Sequence, residues 1–418
     1  MPMRNKSRAI RVGVIGMGRG MSFARGATEV CGMELVALCD HWVDKLKKGK
    51  SAYPGVTFYK DYAKFLEHDM DAVVLANYFH EHAAFAIKAL EAGFHVMSET
   101  SACGSAAEGV ALAEAVEKSG KIYMIAENYC FFNTNQEMRR LYQAGEIGEM
   151  RLAECEYMHP DPINSRLARS WGVDHWRNLC PATYYCTHAL GPILYITETR
   201  PEYVNAHSID YASDETQFNP VRQGDPGFSM LCRMSNGGTT IVNGLLLRGH
   251  GNWYRLHGSR GLMENMRSLN AGMLRLVHDA FDIKDGEVTE KIYRPEFPEH
   301  AALAKKSGHG GGDFFTNNMF AQAIRTGKQP ILDVYRALDM TMAGIQGWRS
   351  ALDRGNAKEI PDFRRKRMRD AYRHDTWSPF PSEKGPGEAP ASISVRKITP
   401  KQLTEAKAIW RKQGYTGN

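Results

Sequence analysis

Apolar positions in the first part of the chain come in short runs, each followed by a helical spacing, and that alternation predicts a parallel sheet with crossover helices. The first run, Ile10 to Gly20, reads as a strand that breaks into glycines and then into a helix; the second is Met33 to Asp40. Further strands are expected at Val56 to Lys60, Asp71 to Tyr78, His95 to Thr100 and Ile122 to Asn128. Amphipathic helices are expected at Glu81 to Ala92, Ala106 to Ser119 and Gln136 to Gln143, with Gly93 and Gly120 as stops. After Glu149 the pattern changes to period two: Arg151 to Met158, Tyr203 to Tyr211, Gly227 to Met234, Gly238 to Leu246, Trp253 to Gly258 and Met273 to His278. Turn residues between these runs predict an open antiparallel sheet. Helices follow at Asp313 to Gly327 and Val334 to Leu352, then a Pro-, Ser- and Gly-rich arm from Trp377 to Pro390 and a last helix at Pro400 to Gln413. The expected organisation is α/β: a doubly wound parallel sheet over 1–148, an α+β domain with the open sheet over 149–363 whose helices near 313–354 pack back toward the first, and an arm and helix over 364–418.

Chemistry enters at the first turn, Gly16-Met17-Gly18-Arg19-Gly20-Met21. A tight glycine turn between strand and helix lets a pyrophosphate approach the backbone at the helix N-terminus. Met21 stands where a third glycine would, with Gly20 one place early. Asp40 ends the second run, where a carboxylate would accept the adenosine ribose hydroxyls and favour NAD over NADP. Ligands of such sheets bind beyond the carboxyl ends of the strands. That singles out Asn77, Tyr78, Phe79, His80 and His82, then Glu99 and Thr100, then Glu127, Asn128 and Tyr129.

Composition narrows the class. The charge of +6, from 53 basic and 47 acidic residues, is mixed along the chain, with its surplus at Arg4 to Arg11 and at Arg364, Arg365, Lys366, Arg367 and Arg369. Neither cluster has aromatic interleaving or a binding motif, so no nucleic-acid partner is expected. No run approaches a membrane span and no signal peptide is visible, so a cytoplasmic protein with no membrane partner is expected. The eight cysteines show no Cys-x-x-Cys, which favours a reducing compartment; Cys180 and Cys186 are read as packing residues. His80 with His82, on one face of a strand, and His159 with Asp161 have no patterned third ligand, so no metal is expected. Trp171, Trp176 and Trp253 read as core, with stacking on a sugar face as the alternative.

The glycine turn, Asp40, the run Asn77 to His82 and Glu99 resemble the Gfo/Idh/MocA family, over about Ile10 to Phe363. The resemblance implies a Rossmann domain plus an open antiparallel sheet, and a homodimer or homotetramer built through that sheet. The family's usual Glu-Lys-Pro is here Glu99-Thr100-Ser101, without the lysine that orients the oxidised hydroxyl. Four further motifs resemble glycoside hydrolase family 109: Trp176-Arg177; Tyr185-Cys186-Thr187-His188-Ala189-Leu190-Gly191-Pro192; Gly308-His309-Gly310-Gly311-Gly312-Asp313; and Pro361-Asp362-Phe363. That family includes NAD-dependent glycosidases that also lack the lysine. What it implies is a small-molecule glycoside substrate, transient oxidation at C3, elimination, water addition and re-reduction, with NAD not consumed. The implied catalytic residues are Tyr185, His188 and His309. Arg19 would stand at the pyrophosphate, and Glu99 and Asn128 at the nicotinamide ribose and amide, with Asn77, His80, His82, Thr100 and Tyr185 completing the cofactor site. Tyr157 and Arg177 would contact the sugar together with Tyr185, Cys186, Thr187, His188 and His309. Apart from the resemblance, the basic stretch Arg166, Arg169, Arg177, His159 and His175 reads either as a solvated loop or as a match for an anionic sugar. Two alternatives stay open: an NAD-dependent sugar or inositol dehydrogenase, and a non-catalytic NAD- or sugar-binding regulator.

Overall fold

The computed structural model describes residues 8–29, 31–210, 221–249, 251–267, 271–382, 387–392 and 398–415. The N-terminal part of the Arg4 to Arg11 cluster, the last residue of the expected strand ending at Tyr211, and positions 383–386 of the C-terminal arm lie outside them. The chain divides into two compact units. The first runs to Ala102 and also takes in Val110–Phe132 and Pro298–Ala337; the second takes Cys103–Gly109, Asn133–Phe297 and the chain from Leu338.

The first unit is built on a six-stranded sheet in the order β3-β2-β1-β4-β5-β6. The strands are β1 (Ile10–Ile15), β2 (Met33–Cys39), β3 (Thr57–Tyr59), β4 (Ala72–Leu75), β5 (His95–Ser98) and β6 (Tyr123–Ile125), and every pair is parallel. Val12, Val14, Val73, Val96 and Met97 are fully buried, as a sheet covered on both faces requires. The order reverses between β1 and β4, and ligands bind at such a switch point. The pairing Ile15 with Leu75, Leu75 with Ser98 and Ser98 with Ile125 ends the four strands level. The expected strands run on past that edge through Asn77, Thr100 and Asn128, where pairing has already ended, so β4, β5 and β6 are shorter than expected. His80 consequently lies in a 3-10 turn, Phe79–Glu81, and His82 opens the helix His82–Glu91; the two do not share a strand face. The helix Gly312–Thr326 returns to this unit and packs on the helix Gly20–Glu29, where the Asn317 side-chain amide donates to the Phe23 carbonyl at 3.1 Å.

The second unit holds a nine-stranded sheet in the order β14-β13-β12-β11-β7-β10-β9-β8-β15. These strands are β7 (Met150–Met158), β8 (Pro201–Ile209), β9 (Gly227–Met234), β10 (Thr239–Leu245), β11 (Gly251–Gly258), β12 (Gly261–Asn265), β13 (Leu274–His278), β14 (Glu290–Tyr293) and β15 (Lys358–Glu359). The sheet is mixed, because β7 and β10 pair in parallel while the other neighbours are antiparallel. The long excursion from β7 through the helix Thr187–Thr197 to the β8-β9-β10 meander lays β10 beside β7 in the same direction. The hydrophobic pattern misses β12, β14 and β15; the last two are short, largely polar outer strands with no alternation to read. The helix Pro400–Lys412 packs on the short helix Ile163–Leu167 through Trp410, Leu403 and Ile409. Trp410 is buried, and its indole N–H donates to the Leu167 carbonyl at 3.0 Å.

Candidate active site

In the first unit the glycine turn fits a dinucleotide. Gly16 has φ +90°, and a Cβ there would stand 2.1 Å from the Ala76 carbonyl oxygen, so only glycine passes between β1 and β4. A Cβ on Gly18 would meet only Lys45 Nζ, at 3.8 Å, which leaves the space a diphosphate needs. A Cβ on Gly20 would stand 2.8 Å from Val14 Cγ1, so Gly20 does the close helix-to-strand packing expected of the third glycine, and Met21 does not weaken the motif. Asp40 follows β2; its carboxylate accepts from the Met17 N–H at 2.8 Å and the Trp42 N–H at 2.9 Å, tying the turn to the strand end. Asn77 follows β4 and donates to Glu81 at 3.2 Å, while its Oδ1 is buried without a hydrogen-bond partner among the described residues.

Around this turn the structure gathers Arg19, Glu99, Asn128, His309 and Asp313. Arg19 Nε donates to Glu99 at 2.7 Å, and its two terminal nitrogens grip Asp313 at 3.0 and 2.7 Å. Asn128 donates to Asp313 at 3.0 Å, and His309 Nδ1 lies 2.9 Å from Asp313 Oδ2. Burial alone would raise the Asp313 pKa, but the hydrogen bonds from His309 and Arg19 and their charge outweigh it and hold the carboxyl well below its usual range. Asp313 was not singled out as a site residue from the sequence; its signal was the i, i+4 spacing from His309. His82 is buried, with Nδ1 at 2.8 Å from the Ser101 carbonyl oxygen, and burial lowers its pKa. His80 is held down to about 4, first by burial and then by the charge of His82. The Thr100 N–H donates to Glu99 Oε2 at 3.1 Å.

In the second unit Tyr185 closes the 3-10 turn Ala182–Tyr185 and His188 lies in the first turn of the helix Thr187–Thr197. Arg177 donates to the Tyr185 hydroxyl oxygen at 2.8 Å and lies over the Trp176 ring at 4.3 Å. Burial raises the Tyr185 pKa against the lowering charge of Arg177, so the phenol keeps its proton at neutral pH. The Tyr157 ring, from β7, meets His188 edge-on at 4.7 Å. Cys186 and Thr187, read from sequence as substrate contacts, are turned inward at 0% and 1% exposure. Burial lifts the Cys180 thiol to about 12, as a packing cysteine requires.

The His188 backbone carries a feature that sequence reasoning missed. In a helix its carbonyl would accept from the N–H of residue 192, which is Pro192 and has none. The buried Tyr254 hydroxyl, from β11, donates to that carbonyl at 2.7 Å instead. Arg222 is a second such residue: it donates to the carbonyls of Arg177, Cys180 and Asp225 at 2.9, 2.7 and 2.9 Å and braces the segment leading to Tyr185. Of the basic stretch, Arg169 pairs with Asp161, and Arg166 donates to the His159 carbonyl at 3.1 Å.

This combination, a doubly wound domain with a glycine turn and a following sheet domain that carries a tyrosine and a histidine three residues apart, defines a class. The chain belongs to the Gfo/Idh/MocA family: the oxidoreductase NAD-binding Rossmann fold matches residues 10–127 and the GFO/IDH/MocA C-terminal domain residues 135–264. Within it, the glycosyl hydrolase 109 C-terminal domain matches residues 200–370. A glycosyl hydrolase family 109 protein of Solibacter usitatus is 25% identical over 395 residues, covering 85% of this chain and 88% of its own. One from Phocaeicola vulgatus is 28% identical over 420 residues, covering 87% and 86%. Among solved structures, levoglucosan dehydrogenase in complex with NADH superposes with a TM-score of 0.70 at 17% identity, covering 84% of this chain and 99% of that one. An inositol dehydrogenase homologue from Azotobacter vinelandii complexed with NAD+ gives 0.69 at 18%, covering 85% and 98%. The first domain is thus an NAD-binding Rossmann domain. No described helix is long and apolar enough to cross a membrane.

Proposed function

We propose that this enzyme is an NAD-dependent glycosidase that hydrolyses small glycosides by transient oxidation at C3, elimination of the C1 substituent, addition of water and re-reduction. The observation that carries the reading is the pairing of Tyr185 with Arg177 and of His188 with Tyr157, in a chain that lacks the family's lysine and whose residues 200–370 match the glycosyl hydrolase 109 C-terminal domain. When bound, NAD would accept the hydride and give it back; Gly16, Gly18 and Gly20 with Asp40 would hold its adenosine diphosphate part, with Asn77, Glu99 and Asn128 at the strand ends beyond them.

The remaining work is proton transfer, which the chain's own side chains perform. Arg177 donates to the Tyr185 oxygen and so directs the phenol O–H elsewhere, toward a sugar hydroxyl that it polarises. His188, its backbone pinned by Tyr254 and its ring seated on Tyr157, takes and returns the proton of the carbon beside the transient ketone. His309 is the third proton carrier. The test is hydrolysis of an aryl glycoside in deuterium oxide. This route breaks the C2–H bond and His188 exchanges its proton with solvent, so product sugar carries deuterium at C2; retention of the C2 proton in every turnover, with no primary isotope effect from a C2-deuterated glycoside, would refute it.

A further inference from the structure

The loop Gly308–Gly312 is shaped to set one imidazole on one carboxylate. His309, Gly310 and Gly311 have φ values of +49°, +58° and +100°, a left-handed run that the glycines permit. A Cβ on Gly308 would lie 2.6 Å from Asp313 Oδ2, and one on Gly312 would lie 2.6 Å from the Asn128 carbonyl oxygen. Asp313 is buried, and its two oxygens share four donor contacts: Arg19 Nη2 and Asn128 at Oδ1, and Arg19 Nη1 and His309 at Oδ2. Two carboxylate oxygens offer about four acceptor positions, so Asp313 is saturated and has none left for a ligand.

His309 Nδ1 has two neighbours with opposite demands: Asp313 Oδ2 at 2.9 Å requires a proton on it, and Arg19 Nη1 at 3.4 Å requires a lone pair. The carboxylate contact is shorter, and a bare nitrogen there would set a lone pair against an anion. Arg19 is already satisfied by Glu99 and Asp313, so it gains little from a third acceptor. Asp313, Arg19 and, behind Arg19, Glu99 are the charged groups of this network. The short helix Ala301–Ala304 packs against the loop, and His300, Lys305 and Lys306 beside it are exposed.

We infer that Asp313 is a positioning residue that holds neutral His309 as its Nδ1–H tautomer and leaves Nε2 as the acceptor for the proton of a sugar hydroxyl or a water. The proton moves from the oxygen to Nε2, and the resulting imidazolium keeps Nδ1–H on Asp313, which stays ionised. The use of that acceptor in turnover rests on the glycosidase reading; the tautomer does not.

The test is nitrogen NMR of the full chain labelled at histidine nitrogens, with His309→Gln used to assign the signal. In its neutral form wild-type His309 should show a protonated Nδ1 and a bare Nε2, and Arg19→Gln should leave that pattern in place. Asp313→Asn should shift the population toward Nε2–H. In turnover, Asp313→Asn should lower kcat by about a hundredfold or more, and the Asp313→Asn/His309→Gln double variant should be no slower than His309→Gln alone. A wild-type Nε2–H tautomer, an unchanged tautomer in a folded Asp313→Asn, or additive losses in the double variant would overturn the inference. The wild-type spectrum decides even if Asp313→Asn does not fold. A glycoside screen without turnover would remove the function while leaving the tautomer result standing.

Discussion

Replacing Trp410 by alanine tests how the segment bearing Arg166 and Arg169 is held. The Trp410 side chain is 1% exposed, among Leu167, Val221 and Ala406. A buried tryptophan removes on the order of 200 Å² from water, worth about 5 kcal/mol at roughly 25 cal/mol per Å². The lost hydrogen bond to Leu167 adds about 1 kcal/mol, and alanine and local collapse recover part of the total. Truncations of this kind cost about 3–5 kcal/mol, so about 4 kcal/mol is expected. The helix Pro400–Lys412 packs chiefly on Ile163–Leu167 and has no place in the sheet, so the loss falls on a local opening rather than on the whole unit. About 4 kcal/mol raises the open population roughly a thousandfold. Hydrogen exchange read by mass spectrometry should therefore quicken by about that factor over 163–170 and 400–412, with β7 and β11 nearly unchanged. Unaltered protection over 163–170, or a uniform loss across the sheet, would refute the assignment of that helix as a local brace.

Other consequences follow from single contacts. His80 titrates at about 4 in the folded chain against an ordinary 6.5, so the unfolded chain binds the extra proton first. Stability is therefore complete above pH 6.5 and falls as pH drops from there to 4, by up to roughly 3 kcal/mol; thermal melts across that range should show it, and His80→Gln should flatten the curve. Tyr185→Phe and His188→Gln should each lower kcat by roughly 10²–10⁴, and in His188→Gln the NAD affinity, read by fluorescence titration, should stay within about twofold; a parallel loss of cofactor there would contradict its role. Tyr254→Phe leaves the His188 carbonyl without its donor and should cost about 1–3 kcal/mol in a denaturant titration; a change below a few tenths would mean that the carbonyl finds another partner.

What was legible in the chain is what local periodicity and steric need encode. The strands of the first sheet, the glycine turn and Asp40 stand where the pattern puts them, because buried parallel strands and tight turns demand particular residues at adjacent positions. Strand ends were overrun because the chain stays buried past Leu75, Ser98 and Ile125, at Phe79, Thr100, Ala126 and Asn128, whereas sheet pairing ends at those three residues. The parallel pairing of β7 with β10 was not legible, since it joins segments about eighty residues apart and leaves no local mark on either. Pro192 four residues after His188 signals a missing donor, but nothing in sequence says that Tyr254 supplies it. Arg222 reads as one more surface cation until the fold closes three carbonyls around it.

The claim that the enzyme borrows a hydride and returns it is tested most directly with purified protein, no added NAD+, and a panel of chromogenic α- and β-glycosides of N-acetylamino, neutral and acidic sugars. Absorbance is followed for both phenol and NADH. The account predicts phenol release without net NADH, lost when cofactor is stripped and restored by substoichiometric NAD+. NADH accumulating from free sugars under excess NAD+, with no phenol from any glycoside, would contradict it and identify a dehydrogenase.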